Sequence, residues 1–106
     1  MNQRIQQLHS FLANRPNDPF MYYALAIEFK NEGNTAEAHR YFEEVYTRFP
    51  EYVATYLHFG TLLQEQGSFT EARKIFLEGI EKARDSGDNH ALSELSDALA
   101  LLESEV

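Results

Sequence analysis

The sequence contains no cysteine, which removes disulfide staples and thiolate metal ligands together. Tryptophan is absent too, and proline occurs only three times and glycine five times. A chain so poor in the two strongest breakers of regular structure has few places to turn, so each one carries information. Basic residues are also scarce. Nine Lys and Arg stand against seventeen Asp and Glu, giving a net charge of −8 and an isoelectric point near 4.9. Holding phosphates needs a concentrated basic surface, so nucleic acid is an unsuitable partner. No stretch approaches the roughly 18 apolar residues of a membrane span. Met1-Asn2-Gln3-Arg4-Ile5-Gln6-Gln7 is polar and contains no apolar signal segment, so a cytoplasmic protein without a membrane association is the expectation.

What is present suffices for one modest core. The 106 residues are 43% apolar and 13% aromatic, which predicts a single domain over 1–106. The charge is uneven. Residues 85–106 hold Asp85, Asp88, Glu94, Asp97, Glu103 and Glu105 with no Lys or Arg, whereas residues 1–50 are nearly balanced. A solvated final helix accounts for that acidic end.

Sliding the sequence by 34 residues superimposes Tyr22 on Tyr56, Gly33 on Gly67, Glu37 on Glu71, Ala38 on Ala72, Phe42 on Phe76 and Glu44 on Glu78. Leu25 with Phe59, Ala26 with Gly60 and Phe29 with Leu63 keep their apolar character. Within each unit the period is helical: Tyr22, Leu25, Ala26 and Phe29 recur at i, i+3, i+4 and i+7, as do Tyr56, Phe59, Gly60 and Leu63. Ala38, Tyr41, Phe42 and Val45 form a second stripe, and Ala72, Ile75, Phe76 and Gly79 its counterpart. Asp18-Pro19 reads as a helix start, Gly33 and Gly67 as left-handed helix ends, and Pro50 as a stop. Asn34 with Glu37 and Ser68 with Glu71 have capping-box spacing. Small residues at Ala26 and Ala38, and again at Gly60 and Ala72, allow two helices to approach closely while Phe42 or Phe76 fills the space beside them.

These residues resemble the tetratricopeptide repeat, whose pattern of bulky, small and aromatic positions they follow from Pro19 to Ser86. The resemblance implies an all-α, right-handed α-solenoid of antiparallel helix pairs, with repeats over 19–52 and 53–86. It departs at Val45 mildly, and at Gly79 and Arg84, which predicts a change of register there. Two repeats rarely stand alone, since each buries its faces against neighbours. Residues 2–14 resemble the second helix of a truncated repeat: Leu8, Phe11 and Pro16 fall under Phe42, Val45 and Pro50. Arg4 falls under Ala38, where no first helix would cross. Leu92, Leu95, Ser96 and Leu99 repeat the first-helix stripe, with the register lengthened in Asp85-Ser86-Gly87-Asp88, predicting a capping helix over 88–104. About six helices are expected.

The residues of catalysis are missing. His9, His39, His58 and His90 are spread one to a region, without metal-ligand spacing. There is no H-E-x-x-H, no glycine-rich phosphate loop and no G-x-S-x-G elbow. The chain therefore reads as non-enzymatic, with neither metal nor cofactor.

Its function then lies in surface. The resemblance implies a concave face made by first helices, here Phe20, Tyr23, Ile27 and Lys30, then Leu57, His58, Thr61 and Gln64 with Ala54. Phe20, Tyr23 and Ile27 also lie off the core stripe of their own helix, and apolar residues in such a place mark contacts. The carboxylate clamp that some tetratricopeptide proteins use for acidic tails needs Lys, Asn and Arg. Phe20, Tyr23, Ile27, Leu57, His58 and Thr61 occupy those places instead. The expected partner is a short apolar or helical protein segment. A second copy, giving a homodimer through the same face, is the alternative.

Overall fold

Turns fall where the scarce glycines and prolines stand. The computed structural model describes residues 2–105, and among them it contains six helices and no strand. These are α1 (Gln3–Asn14), α2 (Pro19–Asn31), α3 (Thr35–Arg48), α4 (Ala54–Glu65), α5 (Phe69–Ser86) and α6 (Asn89–Glu105). The chain divides into two compact units, the first ending at Tyr52 and the second beginning at Val53.

In the first unit α2 packs along both α1 and α3. A helix covered on two sides needs apolar residues beyond a single stripe, and α2 buries Met21, Ala24, Leu25, Ala26 and Phe29. Its neighbours are simpler: α1 buries Ile5 and Leu8, and α3 buries Ala38, Tyr41, Phe42 and Val45. Tyr22, of the same stripe as Leu25, is only half-buried. In the second unit α5 packs against both α4 and α6, and α4 also meets α6. There α4 buries Thr55, Tyr56, Phe59, Gly60, Leu62 and Leu63, facing Ala72, Ile75, Phe76, Gly79 and Ala83 of α5.

The hairpin turn in each unit follows one local rule. Gly33 takes φ 79°, its N–H donates to Lys30 O at 3.0 Å, and the Asn34 N–H donates to Phe29 O at 2.9 Å. This Schellman pair satisfies carbonyls that the helix end leaves open, and only glycine adopts that φ without strain. Gly67 closes α4 in the same way.

Five details differ from the sequence reading. Asn34 accepts from the Glu37 N–H at 3.3 Å, but the Glu37 carboxylate turns to Arg40 instead of closing the capping box. Ser68 makes no side-chain cap bond at all. Arg4 is not idle: it pairs with Glu28 of α2 at 3.9 Å, where Asn2 also donates to Glu28 at 3.3 Å. The register change lies at Arg84 alone. Without a proline there α5 runs 18 residues against 14 for α3, and stops at Gly87 with φ 72°. Ser96 is exposed, because α6 buries Leu95 and Leu102 instead.

Candidate protein-binding surface

Helix α2 begins on a fixed point. The Asp18 carboxylate accepts the Phe20 N–H at 3.0 Å, and Pro19 brings a φ already suited to the first turn. Phe20 therefore emerges from a rigid helix end with 45% of its surface exposed. One turn on, the Tyr23 ring lies 6.4 Å from the Phe20 ring and 5.5 Å from that of Tyr52. The planes are tilted by 41° and 55°, within the geometry aromatic pairs favour. Ile27 and Lys30 continue along α2, both half-buried.

Tyr52 reaches Tyr23 from the segment that follows α3. Phe49 caps α3, Pro50 prevents the helix from continuing, and the Tyr52 N–H closes the turn onto Phe49 O at 2.9 Å. Burial pushes the Tyr52 hydroxyl pKa up, and the nearby Tyr23 and the Asp18 charge push it the same way. Beside this ring opens a depression of about 420 Å³ lined by Pro19, Arg48, Phe49, Pro50, Glu51 and Tyr52. The Arg48 guanidinium is already engaged. It donates to the Tyr22 hydroxyl at 2.9 Å, Glu44 at 3.0 Å and Asn17 at 3.0 Å, and lies over the Tyr22 and Phe49 rings. Tyr22 in turn donates to Pro16 O at 2.7 Å, tying the segment before α2 to the hairpin.

The α4 face of the second unit is a different surface. Leu57, His58, Thr61 and Gln64 are all half-buried. The Thr61 hydroxyl donates to Leu57 O at 2.8 Å, and the Gln64 amide donates to Glu105 of α6 at 3.2 Å. Thr61 and Gln64 thus spend hydrogen bonds inside the unit. The structure brings Phe20 and Tyr23 into ring contact and adds Tyr52, Pro19 and Phe49 beside them. The helical period of α2 holds no signal for these additions. The one local cue is an aromatic residue two positions after Pro50.

Among the described residues no group of three or more His, Cys, Asp or Glu side chains is placed to hold a metal ion. Among them too, no helix is long and apolar enough to cross a membrane. A tetratricopeptide repeat profile matches residues 31–94. The chain belongs to the tetratricopeptide repeat family.

The crystal structure of a tetratricopeptide repeat domain protein from Salinibacter ruber is 40% identical, with a TM-score of 0.80. The match covers 83% of this chain and 98% of that one. A solution structure of a tetratricopeptide repeat domain protein from the same organism is also 40% identical, with a TM-score of 0.80. It covers 84% of this chain and 90% of that one. A Bordetella parapertussis protein, at 23% identity, shares the fold with a TM-score of 0.83 over 99% of this chain and 91% of its own. No curated protein matches the chain. Tetratricopeptide repeats generally mediate protein–protein interaction, and the family generally supplies non-enzymatic scaffolds.

Proposed function

We propose that this tetratricopeptide repeat protein is a cytoplasmic, non-catalytic interaction module that holds a short apolar or helical segment of a partner protein on its first-helix faces. The observation that carries this reading is Phe20. It is a large aromatic side chain with 45% of its surface exposed, rooted on a capped helix end and continuous with Tyr23. Rigid aromatic anchors of this kind contribute much of the binding energy in protein interfaces. The absence of Lys, Asn and Arg at the acid-clamp places supports an apolar ligand over an acidic tail, as does the net charge of −8.

Affinity capture with the full chain tests the proposal when repeated with Tyr23→Ala and Leu57→Ala, each checked for retained helicity by circular dichroism. Binding of the captured partner should fall about tenfold or more for Tyr23→Ala, the scale of a buried aromatic anchor. Unchanged binding by both folded variants would place the interface elsewhere. Sedimentation at micromolar concentration separates out the second occupant of the same face, since a strictly monomeric chain removes homodimerisation.

A further inference from the structure

We infer that α1 of one chain docks on α6 of a second copy, so that two chains complete between them a helical pair of which each carries one half. This joint is separate from the Phe20–Tyr23 surface and does not depend on what that surface holds. Three observations select a second copy as the occupant.

The repeat pattern makes the two helices complementary. Leu8 and Phe11 fall under Phe42 and Val45 of α3, so α1 corresponds to a second helix. Leu92, Leu95, Ser96 and Leu99 follow the stripe of Tyr56, Phe59, Gly60 and Leu63, so α6 corresponds to a first helix. Repeats of this kind bury their faces only against the neighbouring helix pair.

The faces left open are the ones a hairpin buries. Ala38, Tyr41, Phe42 and Val45 of α3 are all buried. At the matching places of α1, Leu8 is buried, while Arg4, Gln7 and Phe11 are exposed, Phe11 by 48%. Tyr56, Phe59, Gly60 and Leu63 of α4 are likewise all buried, whereas in α6 Leu92 and Leu99 are half-buried and Ser96 is exposed. Inside the α4–α5 hairpin, Gly79 stands against Tyr56 and Gly60 against Phe76. The same correspondence sets Phe11 of one copy beside Leu92 of the other, and Leu8 beside Ser96. A tyrosine facing glycine thus becomes a leucine facing phenylalanine, and the volumes compensate. Arg4 is bulkier than Ala38 or Ala72 at its place, so the joint is wider than a hairpin within one chain and weaker than it.

Charge favours unlike ends. Residues 2–17 hold Arg4 and Arg15 and no Asp or Glu, whereas residues 85–106 hold six carboxylate side chains and no Lys or Arg. Arg4 is engaged by Glu28, but Arg15 is exposed and has no ion pair among the described residues. Its counterpart Phe49 lies 6.0 Å from Tyr22, whose place in α6 is taken by Leu92. Arg15 would therefore reach the first turn of α6, beside Asp88. Pairing α6 with α6 would instead bring like charges together.

Sedimentation velocity of the full chain between about 10 μM and 1 mM tests the joint. The mean mass should rise with concentration and fall back as salt is added. Phe11→Asp and Ser96→Arg change exposed side chains, and circular dichroism should show both variants folded. Each should weaken self-association about tenfold or more. Mixed together, they should form a one-to-one dimer and nothing larger, because one variant keeps a sound α6 and the other a sound α1. A chain that stays monomeric throughout the range overturns the inference. Self-association that survives both substitutions overturns it too, as does a mixture that stays monomeric while the unaltered chain assembles. Association lost in Tyr23→Ala but kept in Phe11→Asp assigns the contact to the Phe20–Tyr23 surface instead.

Discussion

The hairpins α2–α3 and α4–α5 are copies of one 34-residue pattern, yet the repeated tyrosine is packed differently in each. In the first, Tyr22 is half-buried and its hydroxyl belongs to a polar knot with Pro16 O and Arg48. In the second, the equivalent Tyr56 is 1% exposed and lies close beside Gly79. Gly79 makes this possible: a Cβ there would stand 2.5 Å from the Tyr56 Cβ and 3.2 Å from Leu95 Cδ1. Gly60, opposite Phe76, is just as crowded, and a Cβ on it would overlap the Phe76 ring. The first hairpin carries Val45 and Ala26 at those two places, both fully buried. The two repeats therefore share the outline of the fold, while the closeness of approach beside the tyrosine changes with one or two side-chain volumes.

Gly79 offers the strongest way to break that comparison. Gly79→Ala should lower the unfolding free energy by about 1–2 kcal/mol, because overpacking outweighs the roughly 1 kcal/mol that alanine gains in a helix interior. Urea denaturation followed by circular dichroism reads the loss. Adding Leu95→Ala should not restore stability, since the nearest obstacle is the Tyr56 Cβ, which any residue but glycine carries at 56. Val45→Ala in the first hairpin should destabilise for the opposite reason, by opening a cavity. If Gly79→Ala proves neutral, the second hairpin is not held by close approach.

How far the sequence reveals this arrangement depends on the range of each interaction. Six helices and their turns follow from periodicity and from Gly33, Gly67, Pro19 and Pro50, all local signals. The caps are less predictable. Asn34 and Ser68 have the same spacing to a glutamate, and Arg40 draws Glu37 away while Ser68 makes no cap bond. Gly79 reads in the sequence as a change of register, because nothing local says that Tyr56 and Leu95 converge on it. The α2 surface divides similarly. Phe20 and Tyr23 can be placed off the core stripe by counting residues, but the contact with Tyr52 requires the path of the chain beyond α3. The roles of Arg48 and the depression beside it arise from that same tertiary path.

A smaller effect is expected one residue before Tyr56. Thr55 is fully buried, and its hydroxyl has no hydrogen-bond partner, whereas Met21 at the equivalent place in the first hairpin is apolar and 6% exposed. An unpaired buried hydroxyl opposes folding, and valine keeps the branched shape without it. Thr55→Val should therefore raise the unfolding free energy by about 1 kcal/mol, seen as a higher urea midpoint with an unchanged slope. A loss of stability would show that the hydroxyl is satisfied and that polarity at 55 belongs to the design of the second hairpin.

The smallest difference between the hairpins is electrostatic, and pH exposes it. Arg40 grips Glu37 with two bonds of 3.2 and 2.9 Å, and this hydrogen bonding lowers the Glu37 pKa below its ordinary value of 4.5. The second hairpin has Glu71 and Lys74 at these places, and lysine offers no two-armed fork. A carboxylate whose pKa is lower in the folded state contributes stability above its unfolded pKa. That contribution is lost as the pH falls through the lowered folded value. The pair is largely exposed, so it should be worth only a few tenths of a kcal/mol. Arg40→Gln should destabilise the chain by about that much at pH 7, and the pH-dependent part of the difference should shrink as acid protonates Glu37. Any loss that persists in acid belongs to the contact of Arg40 with the Tyr41 ring, 4.5 Å away. Lys74→Arg gives the converse: if the fork is what distinguishes the hairpins, it should add a similar increment at pH 7.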